Sequence, residues 1–145
     1  MITYKDLEFM QLAYSISEKS EDSTKVGSVI VNPLNDEVIS YGFNDFPKNV
    51  DKNINERWNN PLKGRYIVHS EVSAIINSKK DVSGCDIYVN LYPCSNCAGA
   101  IVNAGIKRVF CESKPDFNNE KWGISWNISK IIFEEANIEV IFINE

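Results

Sequence analysis

Cys85-Asp86-Ile87-Tyr88-Val89-Asn90-Leu91-Tyr92-Pro93-Cys94-Ser95-Asn96-Cys97 lies past the midpoint of this 145-residue chain. It reads as a strand over 85–91, a proline turn, and a helix that opens on a Cys-x-x-Cys pair. The only histidine, His69, stands 25 residues before Cys94. The stretch that begins there, His69 to Asn77, carries Val72, Ile75 and Ile76 at helical spacing and predicts another helix, with Ser83-Gly84 as punctuation before the strand. The Cys94 helix is expected to end near Ala104-Gly105, where Gly105 suits a C-terminal cap ahead of a strand over 107–111. Helices alternating with strands imply right-handed crossovers, at least partly parallel pairing and helices on both faces of a sheet. Ligand sites in such sheets lie beyond the carboxyl ends of strands, which is where the Pro93-Cys94 turn falls.

Outward from that core, residues 3–20 place Phe9, Leu12, Ala13 and Ile16 on one face of an amphipathic first helix, with Thr3 and Asp6 as its cap. Val26 to Val31 and Val38 to Tyr41 flank Asn32-Pro33-Leu34-Asn35-Asp36 and read as an antiparallel hairpin. Residues 44–63 are polar, hold Pro47 and Pro61 and show no period, so a long surface loop is expected. A last helix over roughly 120–136 has Trp122, Trp126, Ile131, Ile132 and Phe133 as apolar positions, and 138–143 closes as a strand. The order is αββαβαβα with a final strand, an α/β fold.

The length suits one domain over 1–145. Hydrophobic residues make up 43 % and charged ones 24 %, a globular balance, and no apolar run approaches the roughly 20 residues that span a bilayer. The start, Met1-Ile2-Thr3-Tyr4-Lys5-Asp6, lacks the basic-then-apolar pattern of a secretory leader, so a cytoplasmic protein is expected. There the Cys94–Cys97 pair reads as metal ligands rather than disulfide partners, leaving Cys85 and Cys111 as buried thiols. A net charge of −5 speaks against nucleic acid as partner, which needs a dense basic face. A small anionic substrate needs only a few local cations.

A catalytic Zn²⁺ takes three protein ligands and leaves its fourth position to water. His69, Cys94 and Cys97 supply three, and no second histidine closes the shell. A helix N-terminus favours the thiolate that zinc requires. Glu71, on the first helical turn, points elsewhere than the imidazole and is read as the proton shuttle of the reaction. The bland alternative is a structural zinc, closed by Cys85, Cys111 or a carboxylate.

His-x-Glu followed by Pro-Cys-x-x-Cys is the signature of zinc-dependent nucleobase deaminases, and over nearly its whole length the chain resembles the cytidine and deoxycytidylate deaminase superfamily, above all its dCMP deaminases. Further motifs in that resemblance are Lys25-Val26-Gly27, Gly42-Phe43-Asn44-Asp45-Phe46-Pro47 and Asn103-Ala104-Gly105-Ile106-Lys107-Arg108-Val109. Lys121-Trp122-Gly123-Ile124-Ser125 is similar to the tail of a phage and bacterial branch. The resemblance implies a three-layer α-β-α fold with a five-stranded mixed sheet, one Zn²⁺ per chain, and hydrolytic deamination of dCMP to dUMP and ammonia on the route to thymidylate. It also implies a homo-oligomer, hexamer or dimer, with Asn44 contacting the sugar and the Tyr92 backbone carbonyl facing the base. Turn chemistry for Asn44 and simple ring packing for Tyr92 are the alternatives. A monophosphate needs cations, and Lys48, Arg57, Lys63, Arg65 and Arg108 are the candidates, Arg65 chosen among them.

Rival readings are a tRNA adenosine deaminase, to which Cys97-Ala98-Gly99-Ala100 is also similar, a deaminase of free cytidine or cytosine, and a noncatalytic zinc- or nucleotide-binding module. The chain departs from the family pattern at Ser70, usually alanine, and Ser73, usually asparagine. Gly42-Phe43-Asn44-Asp45 replaces a Gly-Tyr-Asn-Gly segment tied to regulation, so control by dCTP and dTTP is not expected. A second, structural zinc would need further histidine, and the chain has none.

Overall fold

The computed structural model describes residues 1–144. The expected capping box opens helix α1 (Tyr4–Ser17), with Thr3 Oγ1 accepting from Asp6 N at 3.1 Å and Asp6 Oδ2 accepting from Thr3 N at 2.9 Å. Satisfying both otherwise orphaned amides sets where the helix starts. Its buried line is Phe9, Met10, Ala13 and Ile16, and Leu12, partly buried, packs against the same cluster as expected. Strands β1 (Gly27–Asn32) and β2 (Glu37–Phe43) form the expected antiparallel hairpin, with a register shift between Ile30 and Val31.

Residues 44–66 differ from the loop expected there. They contain a 3-10 turn at Asn55–Trp58 and a short helix α2 (Leu62–Tyr66). Phe46 is the centre of this segment, 4.9 Å from the Trp58 ring and 5.1 Å from that of Tyr66, while the Arg57 guanidinium lies over Tyr66 at 5.1 Å. Each helical piece is too short to display a period, so only the contacts between aromatics far apart in sequence reveal the structure.

Beyond it come α3 (Ser70–Asn77), β3 (Asp86–Val89), α4 (Ser95–Asn103), β4 (Arg108–Cys111), α5 (Gly123–Glu135) and β5 (Glu139–Phe142). The sheet order is β2-β1-β3-β4-β5, with β3, β4 and β5 parallel and β1 antiparallel to both neighbours. This is the expected five-stranded mixed sheet with helices on both faces. Alternation along each strand separates the two cores. Ile30, Ile87, Val89, Val109 and Cys111 pack with Ala74 of α3, Ala98 and Ile101 of α4, and Trp126 and Phe133 of α5. Val29, Val31, Tyr88 and Phe110 face α1 on the other side.

Of the apolar positions expected to be buried in the helices, Ile76 of α3 and Ile131 of α5 are exposed. In α3 the reason is close approach. A Cβ on Gly42 would stand 2.5 Å from both Ser70 O and Ala74 N, so the α3 backbone lies against β2 and small Ala74 makes the contact. Gly42→Ala should therefore lower stability by about 1–3 kcal/mol, the usual cost of overpacking. Urea denaturation monitored by tryptophan fluorescence measures this, and an unchanged midpoint would refute the close-packing account. No helix among the described residues is long and apolar enough to cross a membrane.

Candidate active site

Two helix starts meet beyond the carboxyl end of β3. His69 is the N-cap of α3 and Cys94 the N-cap of α4, both in extended backbone (φ −69°, ψ 155° and φ −72°, ψ 170°), and neither side chain is used for capping. Both are thus free to point at one place, into the partial positive field of the helix N-termini. One turn into α4, Cys97 joins them. His69 Nδ1 is 3.4 Å from Cys94 Sγ and 3.3 Å from Cys97 Sγ, and the three donor atoms lie within 4.8 Å of one another.

Three ligands of two types and the two sulfur–nitrogen distances test the fit of zinc. With Zn–S near 2.3 Å and Zn–N near 2.0–2.1 Å, a tetrahedral ion separates sulfur from nitrogen by roughly 3.5 Å. The observed separations match. The two remaining cysteines are buried elsewhere as free thiols, Cys111 pushed well up by burial, so the cluster is His69, Cys94 and Cys97 with a fourth position left open. Electrostatics favour the thiolate at Cys94. The Cys97 thiol bonding to Cys94, against an opposing burial cost and with His69 adding to it, brings the Cys94 thiol down to about 4. The shared proton and burial push Cys97 up, and the bond to Cys94, again against burial, raises His69.

Glu71 follows on the first turn of α3, 4 % exposed. Burial pushes its carboxyl up from the ordinary carboxylate range, opposed by its own backbone N–H and by the Ser70 hydroxyl. Glu71, His69 and Cys94 line a cavity of about 200 Å³. Asn44 and Tyr92 also line it. Asn44 Oδ1 accepts from Val26 N at 2.9 Å and its amide donates to Thr24 O at 2.7 Å and Asp22 Oδ2 at 3.5 Å, so it ties the lead-in of β1 to the end of β2. The Tyr92 ring packs edge-on to Phe117 and Phe133, and its backbone carbonyl accepts from Trp126 Nε1 at 3.1 Å.

The cation candidates separate on inspection. Lys63 lines the cavity with its Nζ 2.9 Å from Asp22 Oδ1. Arg65 is exposed and does not line it. Two residues along a helix turn through about 200°, so positions 63 and 65 of α2 face opposite ways. Arg108 forms a bidentate pair with Asp86, Nε to Oδ1 at 2.9 Å and Nη2 to Oδ2 at 2.6 Å, on the α1 face of the sheet. Arg57 donates to Asp51 O, and Lys48 is exposed outside the cavity.

The sequence reading missed three contributors. Lys121 lines the cavity beside Trp122 and belongs to none of the ion pairs among the described residues. Buried Asp22 lines it as well, and burial pushes its carboxyl up, but bonds from Lys63, Thr24 N and Ser23 outweigh this and hold it low. The third is the inner face of α5, which fastens the cysteine turn. Trp126 bonds Tyr92 O, Ser129 Oγ donates to Pro93 O at 2.8 Å, and Ser125 Oγ accepts from Ser95 N at 2.8 Å. Two serines four residues apart, Ser125 and Ser129, within an apolar helix pattern were the available signal.

A three-donor zinc site with an open position, a buried carboxylate two residues from the histidine and a cavity over both is the centre of a metal-dependent hydrolase. The chain belongs to the cytidine and deoxycytidylate deaminases: residues 3–113 match the family model described as the cytidine and deoxycytidylate deaminase zinc-binding region. It is 34 % identical to an uncharacterized deaminase of Aliivibrio fischeri over 99 % of this chain and 96 % of that protein. It is also 34 % identical to the deoxycytidylate deaminase of Mus musculus over 90 % of this chain and 74 % of that protein. In fold it is similar to the dCMP deaminase of cyanophage S-TIM5 in complex with dCMP and dUMP, with a TM-score of 0.78, 20 % identity and 99 % of each chain covered.

Proposed function

We propose that this deaminase converts dCMP to dUMP and ammonia, as one domain spanning residues 1–145. The observation that carries the reading is the pairing, in one cavity, of His69 and Cys94 of the metal cluster and Glu71 with two lysines, Lys63 and Lys121. The first set suits an aminopyrimidine and the second a phosphate. The similarity to deoxycytidylate deaminases supports the same substrate.

When bound by His69, Cys94 and Cys97, zinc supplies Lewis-acid activation of a water molecule. Everything else falls to the chain. Glu71 takes one proton of that water and delivers it to the ring nitrogen, then takes the remaining hydroxyl proton of the adduct at the base carbon and delivers it to the amino group, which leaves as ammonia. Ser70 donates to Oε1 at 2.8 Å, so Oε2 is the oxygen that carries the proton. Asn44, with two of its donors and one acceptor site engaged, offers the sugar only the second lone pair of Oδ1. Tyr92 likewise offers the base the second lone pair of its carbonyl. Lys121 meets the phosphate as a free ammonium, whereas Lys63 arrives partly neutralised by Asp22.

Cys85 and Cys111, buried thiols outside the metal cluster, support a cytoplasmic location. The exposed stripe Ile124, Ile128 and Ile131 on α5 supports the homo-oligomer that the resemblance implies.

The test is ammonia release by the zinc-loaded protein on dCMP, CMP, deoxycytidine, dCTP and an adenosine-bearing tRNA stem-loop, with dCMP repeated in the presence of dCTP or dTTP. Turnover is expected on dCMP alone, with no response to the triphosphates, and turnover confined to another member would discard the dCMP assignment. Lys121→Met is expected to raise KM for dCMP about 10-fold or more, the usual worth of a hydrogen bond to a charged group. An unchanged KM would remove Lys121 from the phosphate site.

A further inference from the structure

Ser28 on β1 and Ser70 at the first position of α3 are both 0 % exposed, 42 residues apart in sequence and joined by a 2.7 Å contact between their hydroxyls. Ser70 Oγ is also 2.8 Å from Glu71 Oε1. Neither hydroxyl has another hydrogen-bond partner among the described residues. Each carries one proton. An ionised carboxylate can only accept, so the Ser70 proton goes to Glu71, and Ser28 must then donate to Ser70. The result is a directed chain, Ser28 O–H to Ser70 Oγ, Ser70 O–H to Glu71 Oε1.

A hydroxyl buried without a partner costs about 1–3 kcal/mol, so strand position 28 would ordinarily favour an aliphatic residue like its neighbours Val29 and Ile30. Position 70 favours no hydroxyl either, since the family pattern has alanine there. Two buried serines in contact, ending on the buried Glu71 carboxylate beside the metal cluster, therefore call for a reason beyond packing.

We propose that Ser70 is a positioning residue for Glu71, and that Ser28 acts through Ser70 to orient its hydroxyl. The chain keeps Oε1 engaged as an acceptor and fixes the carboxylate rotamer, so that Oε2 faces the cavity and exchanges protons there. The inference rests on the reading of Glu71 as proton carrier.

The experiment compares S70A, S28A and S28A/S70A with the zinc-loaded wild type in zinc content, thermal unfolding and steady-state kinetics, on the substrate that the wild type turns over. S70A is expected to keep zinc, melt at a somewhat lower temperature because buried Ser28 loses its only partner, hold KM within about twofold, and lose about 10- to 100-fold in kcat, as for a hydrogen bond to a charged group. S28A should lose less, and the double variant no more than S70A, because Ser28 has no route to Glu71 except through Ser70. A kcat for S70A within about twofold of wild type, a loss carried by KM, or losses that multiply in the double variant would each overturn the proposal. Should S70A fail to fold, S28A decides alone: a lower kcat at unchanged KM supports the chain, and an unchanged kcat overturns it. An active S70A beside an inactive Glu71→Gln sinks only this inference, whereas an active Glu71→Gln sinks the reading of Glu71 as well.

Discussion

Glu71→Gln is expected to lower kcat by about 10²–10⁴-fold, the usual share of general acid–base catalysis, while zinc content and fold stay as in the wild type. Glutamine preserves the shape, and its carbonyl oxygen can still accept from the Ser70 hydroxyl at 2.8 Å. What it cannot do is take up and release a proton. Because the side chain is 4 % exposed, bulk water is a poor substitute and the loss should fall on kcat rather than KM. Steady-state kinetics beside zinc analysis checks this, and retention of most of kcat at full zinc content would refute the assignment.

His69→Ala, Cys94→Ser and Cys97→Ser should each abolish turnover by a different route, loss of the metal. The site has three protein donors, so removing one leaves two and an open shell that water cannot hold together at catalytic affinity. Serine is close in size to cysteine, but its hydroxyl stays protonated where the Cys94 thiol, held near 4 by Cys97 and His69 against burial, ionises readily. The same ligands couple metal to stability. At free zinc 1,000 times Kd the ion adds about 4 kcal/mol to the folded state, so a chelator should lower the wild-type melting temperature and leave the three variants unmoved. Full zinc stoichiometry in any of them would overturn that ligand.

The two classes of variant separate cleanly. Glu71→Gln is expected to keep zinc and lose most of its turnover, and the ligand variants are expected to lose zinc. A structural zinc predicts the opposite order, with Glu71→Gln neutral.

Much of this was legible in the chain itself. Strands and helices long enough to show a period were read correctly in kind, and the capping box at Thr3 and Asp6, the hairpin turn at 32–36 and the cap at Gly105, which has φ +85°, all depend on neighbours a few residues away. So does the metal site in part: Cys94 and Cys97 are one helical turn apart, and His69 and Glu71 are two residues apart. Ligand chemistry is selective enough that one histidine and one cysteine pair left little choice.

Tertiary structure alone decided what depends on residues distant in sequence. It turned Arg65 away from the cavity while its near neighbour Lys63 lines it, since the phase of a five-residue helix is set by Phe46 packing on Tyr66 and not by any period. It brought Lys121 to the cavity from the far end of the chain and fastened the cysteine turn with Ser125, Trp126 and Ser129. It placed Ser28 against Ser70 because Gly42 lets α3 settle onto the hairpin. Local sequence determines backbone conformation and metal chemistry through short-range sterics and ligand type, whereas substrate contacts and the support of Glu71 arise from side chains that meet only when the sheet has assembled.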